Sequence, residues 1–127
     1  MAQFALYPHT MDAQTNRKVV PAELARAGEA RHFISWRAAV AGLGRGRLND
    51  LAVAAEAALT DIFLSTEGGT LEIESEHTEE IFSVSISHPE LRERRMPDLS
   101  DILEHFLDGY EISRNRVVLV KRLRESR

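Results

Sequence analysis

Apolar residues along this chain recur with two periods. Over residues 23–43, Ala27, Ala30, Ile34, Ala38 and Ala41 return at steps of three and four, the spacing of one helix face, and Gly42 and Gly44 stop the run. Phe33, Trp36 and Val40 widen the apolar arc beyond a single buried seam. This helix is therefore expected either to half-bury its tryptophan in packing or to touch a partner as well as the core. A second helix is predicted over residues 47–64, with Leu48, Leu51, Ala55, Leu59 and Ile62 in helical register. Its alanines between 52 and 58 permit close approach to a sheet.

The period then drops to two. Leu71 and Ile73 alternate with Glu72, Glu74 and Glu76; beyond a turn at residues 77–80, Phe82, Val84 and Ile86 alternate with Ser83, Ser85 and Ser87. That pattern is a β-hairpin with one face in water. Upstream, Val19 and Val20 before Pro21 predict a short first strand. After Pro89 comes a charged connection, then a third helix carrying Leu99, Ile102, Leu103, Phe106 and Leu107, with Ser100 or Asp98 as its cap and Gly109 as its terminator. Residues 110–112, a turn at 113–115 and residues 116–123 read as a last strand pair. Val117, Leu119 and Leu123 share one face of the final strand, and Arg116, Val118, Val120 and Arg122 share the other. The order β, α, α, β, β, α, β, β predicts an α+β two-layer sandwich: an antiparallel or mixed sheet of about five strands with three helices on one face. Residues 1–16, polar and Pro-interrupted, read as a loose arm pinned at most by Phe4, Leu6 and Tyr7, and residues 17–127 as a single domain.

Composition narrows the function classes. With 127 residues and 43% hydrophobic content the chain has material for one real core. A net charge of -4 argues against a chain devoted to coating nucleic acid or anionic lipid. The basic tail, with Arg114, Arg116, Lys121, Arg122, Arg124 and Arg127, has no stacking aromatics between its cations, so it reads as a solvated strand face. Cys is absent, which removes disulfides, thiol nucleophiles and thiolate metal sites, and the five His are scattered without ligand spacing. No apolar run approaches the roughly 20 residues of a membrane span, and the first residues lack a signal-peptide pattern. The expectation is a cytoplasmic protein with no membrane contact.

The succession from Leu48 to the C-terminus resembles the GHKL (Bergerat) ATPase fold in the short version used by anti-sigma-factor serine kinases. LNDLAVAAEAALTD, Leu48 to Asp61, is similar to that family's N-box helix; LSDILEHFLDGYEI falls where the last helix and following strand belong, and VVLVKRL is similar to the closing strand. Placed on the family pattern, the catalytic glutamate falls on Ala57 and the magnesium-holding asparagine on Asp61. Glu56 is one position off, a rotation of about 100° on a helix. The Asp-x-Gly-x-Gly adenine motif falls on ISHPE, so that His88 stands for the aspartate and Glu90 for the first glycine. Residues 90–99, where a phosphate-cradling lid belongs, contain no glycine.

The resemblance therefore implies a degenerate ATPase domain, a pseudokinase with no catalytic residue, no metal and no cofactor, whose partner is a sigma factor or a STAS-type anti-anti-sigma protein. Phe33, Trp36 and Arg37 on the first helix are the candidate partner contacts. Two alternatives stand beside it: a divergent ATP-dependent serine kinase using Glu56 as base and Asp61 for magnesium, and a homodimerisation module built on the first helix. His32, His77 and His105 read as exposed polar residues rather than phosphoacceptor or metal ligands.

Overall fold

The computed structural model describes residues 16–91 and 96–124. Residues 1–15 of the expected arm, with Phe4, Leu6 and Tyr7, lie outside the described residues, as does Arg127. The chain forms β1 (Arg17–Pro21), a 3-10 turn (Leu24–Arg26), α1 (Ala27–Ala41), α2 (Arg45–Ser65), β2 (Thr70–His77), β3 (Ile81–Ser87), α3 (Leu99–Phe106), β4 (Gly109–Ile112) and β5 (Arg116–Arg122). The sheet order is β1-β2-β3-β5-β4 and every pairing is antiparallel. The fold is thus an α+β two-layer sandwich with the three helices on one face. Among the described residues no helix is long and apolar enough to cross a membrane.

Strand alternation decides which face is covered. Across the sheet, Ile73, Ile86 and Val117 align in one inward row and Val84 and Leu119 in the next, while Glu74, Ser85, Val118 and Glu111 align on the outer face. The inward rows meet Ile34 and Ala38 of α1 and Leu51, Ala54, Ala55, Ala58, Leu59 and Ile62 of α2 in one core cluster. Alanine at the contact lets α2 lie close, and each fully buried Leu or Ile contributes about 1.5–3 kcal/mol. Leu99 and Leu103 of α3 close the far end of the same cluster.

Helix ends are set locally. Gly42 adopts φ 106°, and its N–H and that of Leu43 bond back to Ala39 and Ala38, so the last carbonyls of α1 are satisfied through a left-handed cap. Leu43 then turns into the core. α1 starts at Ala27 rather than residue 23 because Leu24–Arg26 wind more tightly after Pro21. α3 starts after one of the two expected caps but ends earlier than expected. Asp98 occupies its N-cap without a side-chain hydrogen bond, and the chain is already extended at Leu107, two residues before Gly109. Gly109 instead opens β4, where a Cβ would stand 3.5 Å from Val120 Cβ. The hairpin turn is also shorter than expected: His77 belongs to β2, and Thr78 Oγ1 accepts the N–H groups of Glu80 and Ile81 at 3.1 and 3.2 Å.

Candidate functional site

Two regions collect the residues singled out in the sequence. The first runs from the middle of α2 to the loops at the ends of β2 and β3. Ala57 and Asp61 lie one helical turn apart on the buried side of α2, whereas Glu56 is exposed and pairs with Arg31 of α1 at 3.1 Å. Glu56 and Asp61 therefore look in different directions. Asp61 is fully buried, and one of its oxygens accepts the Met96 N–H at 3.0 Å. That bond ties the chain entering α3 onto α2, and Phe63 and Met96 are each partly buried against the core. A carboxylate out of water must be matched by donors, and here a main-chain donor fills that role.

His88 continues the inward alternation of Phe82, Val84 and Ile86, and it is fully buried. Its Nδ1 accepts the Glu90 N–H at 3.0 Å, which leaves Nε2 to donate to the Gly68 carbonyl at 2.8 Å. Its own N–H donates to Asn115 O at 3.0 Å. His88 thus fastens three loops together: its imidazole joins the entry to β2 and the exit from β3, and its main-chain N–H holds the β4–β5 turn. Glu90 is exposed and contributes its main chain, not its carboxylate.

The second region is the outer side of α1. Phe33 is buried and makes an edge-on contact with Trp36 at 6.1 Å between ring centroids. Trp36 keeps 45% of its surface exposed, and Val40 one turn on is exposed too. Phe33 is therefore packed mainly into the core, and the part it leaves to the surface lies beside Trp36. With Lys18, Glu29 and His32 the two rings line an open groove of about 520 Å³ between α1 and β1. Glu29 is bridged by Arg26 at 2.8 Å and Lys18 at 3.3 Å. The Arg26 hydrogen bond, seconded by that of Lys18, holds its carboxyl below the usual glutamate range.

Arg37 is the residue whose placement sequence reading missed. It falls at helical spacing with Ala30, Phe33, Ile34 and Ala38 and is only 9% exposed. Its Nε lies 3.4 Å from Ser75 Oγ, its guanidinium carbon stands 5.4 Å from the Trp36 ring centroid, and no carboxylate among the described residues pairs with it.

Strand parity also carries Lys121 inward, contrary to its expected place in a solvated basic tail. Its Nζ donates to Phe106 O at 2.7 Å and meets Asp50 at 3.4 Å. Three inward positions, Ser75, His88 and Lys121, thus carry polar side chains that a hydrophobicity reading passes over but that a strict count by two finds. His32, His77 and His105 are exposed, and among the described residues no group of His, Asp and Glu is arranged to hold a metal ion. No protein-family model matches the chain, and no curated protein matches it.

Proposed function

We propose that this chain is a non-catalytic regulatory binding domain resembling an anti-sigma factor, acting in bacterial transcription control by holding a sigma factor or a STAS-type protein without ATP. One observation carries the reading. The two polar side chains standing where the resembled family holds metal and adenine, Asp61 and His88, are both fully buried and hydrogen-bonded to main chain. Both are committed to joining loops. Ala57 offers no base, and Glu56 is turned outward to Arg31. The β, α, α, β, β, α, β, β order and the one-sided helix layer agree with what the resemblance implies for the fold. Loss of nucleotide chemistry with retention of the scaffold leaves surface binding as the activity.

Two measurements test the proposal. Calorimetry with ATP and magnesium is expected to give no heat at high protein concentration, and saturable micromolar binding would return the chain to the kinase reading. Affinity capture from a bacterial lysate is expected to recover a sigma factor or a STAS-domain protein; recovery of neither overturns the regulatory reading.

A further inference from the structure

Resting on the reading of the chain as a protein-binding domain, we infer that the Trp36–Arg37 face of α1, with the edge of β1 beside it, docks an extended acidic segment of the partner protein. In that complex the partner's carboxylate is taken by Arg37 and an apolar side chain two positions away lies against Trp36 and Phe33.

The carboxylate follows from Arg37. A guanidinium presents five N–H donors and stays charged throughout the accessible pH range. Arg37 spends one of them on a long contact to Ser75 Oγ and rests against the Trp36 ring, and among the described residues it has no counter-charge. A cation removed from water without a carboxylate is an expense that folding alone does not explain. A carboxylate arriving from outside satisfies it through two parallel hydrogen bonds. The surrounding charges are settled among themselves, Lys18 and Arg26 on Glu29 and Arg31 on Glu56, so no neighbouring acid is left over to compete for Arg37 from within that set.

The extended form follows from β1. It is the end strand of the sheet, hydrogen-bonded to β2 alone among the described residues. Asn16 O accepts the Ser75 N–H and the Ala22 N–H reaches Gly69 O, so even-numbered residues bond inward to β2. Arg17 and Val19 then turn their N–H and C=O groups to the open edge, where another extended backbone matches them. The same register fixes the spacing of the recognised side chains. Lys18 lines the groove beside Trp36, and Ser75, the residue touching Arg37, stands opposite Asn16. Groove and guanidinium are two strand positions apart, which places both recognised side chains on one face of the incoming strand.

Trp36 is the only tryptophan in the chain, so its emission reports this site directly. The probe is the capped peptide Thr-Phe-Thr-Glu-Thr, titrated into the full-length protein, with Gln in place of Glu as control. The Glu peptide is expected to shift Trp36 emission to the blue and to bind at least about tenfold tighter than the Gln peptide, the scale of one charge-assisted hydrogen bond. Arg37→Met is expected to abolish that preference while melting no lower than the parent, since it removes an uncompensated buried charge. Equal binding of the two peptides, or no change in emission at millimolar peptide, overturns the proposal. So does a large loss of stability in Arg37→Met, which makes the arginine a structural residue. A stable dimer by light scattering that Trp36→Ala dissociates assigns the face to a second copy and also overturns it. Sigma-factor capture that survives Arg37→Met leaves the proposed function standing and removes only this site.

Discussion

Replacing Gly69 by alanine tests whether His88 is clamped where the structure places it. Gly68 and Gly69 both have positive φ, 74° and 79°, so alanine at either meets backbone strain of about 1–2 kcal/mol. Only Gly69 adds a collision. A Cβ there stands 2.9 Å from His88 Nε2 and 3.0 Å from Cε1, while nothing lies within 4 Å of a Cβ on Gly68. The imidazole has no easy retreat, because Nδ1 and Nε2 are each held by main chain, at 3.0 and 2.8 Å. Yielding breaks one of those bonds and strands a buried polar group, a loss of about 1–3 kcal/mol. The reduced entropy of the unfolded chain returns about 0.4–1 kcal/mol to both variants. Gly69→Ala should therefore lose about 1–3 kcal/mol more than Gly68→Ala, measured from urea unfolding midpoints followed by circular dichroism. Combining it with His88→Ala should recover most of the excess, a coupling that neighbours show and distant sites do not. Equal losses for the two glycines, or strict additivity in the double variant, would refute the clamp and with it the filling of that position by the imidazole.

Two further expectations concern the carboxylates. Asp61→Ala deprives the Met96 N–H of its acceptor and should lower stability by about 1–3 kcal/mol, with millimolar magnesium leaving the melting temperature of parent and variant unchanged. A magnesium-induced rise in the parent that the variant lacks would count for a metal site at Asp61. Glu29, with its pKa depressed by Arg26 and Lys18, binds fewer protons folded than unfolded below the ordinary glutamate value of about 4.3. Its contribution is complete above that pH and is lost as pH falls through the lowered value, so Glu29→Gln should show a shallower acid decline in melting temperature; superimposable profiles would contradict the bridge.

The elements were legible wherever the period was strong. Leu71 to Ile86 alternates so regularly that the hairpin and its wet face follow directly, and the helical steps from Ala27 to Ala41 end at a glycine that does adopt the left-handed cap. What escaped were polar residues obeying the same period. His88 and Lys121 sit on buried faces because strand geometry counts positions, not polarity, and each is accommodated only because main-chain groups 20 and 15 residues away in sequence return to meet it. Those partners, Gly68 O for His88 and Phe106 O for Lys121, depend on the folded topology and leave no trace in local pattern. The end of α3 was misplaced for a related reason. Gly109 was available as a terminator, yet the pairing of β4 with β5 draws the chain straight from Leu107 onward. Arg37 lay in register with the core stripe, but helical spacing does not say whether a long side chain in that stripe carries its charge out to water or folds it under a ring.

The placement of β1 at the end of the sheet has a kinetic side. Arg17 and Glu72, which pair across β1 and β2, are 55 positions apart, so closing this contact encloses both long helices within the loop. The β2–β3 hairpin needs no such closure. Contacts of this kind form late in folding and are held by one neighbour only, so β1 amides should exchange with solvent ahead of those in β3, which is bonded on both sides. The wall of the Trp36 groove is then drawn from an edge strand that opens more readily than the centre of the sheet, and a segment that docked there would slow the exchange of β1.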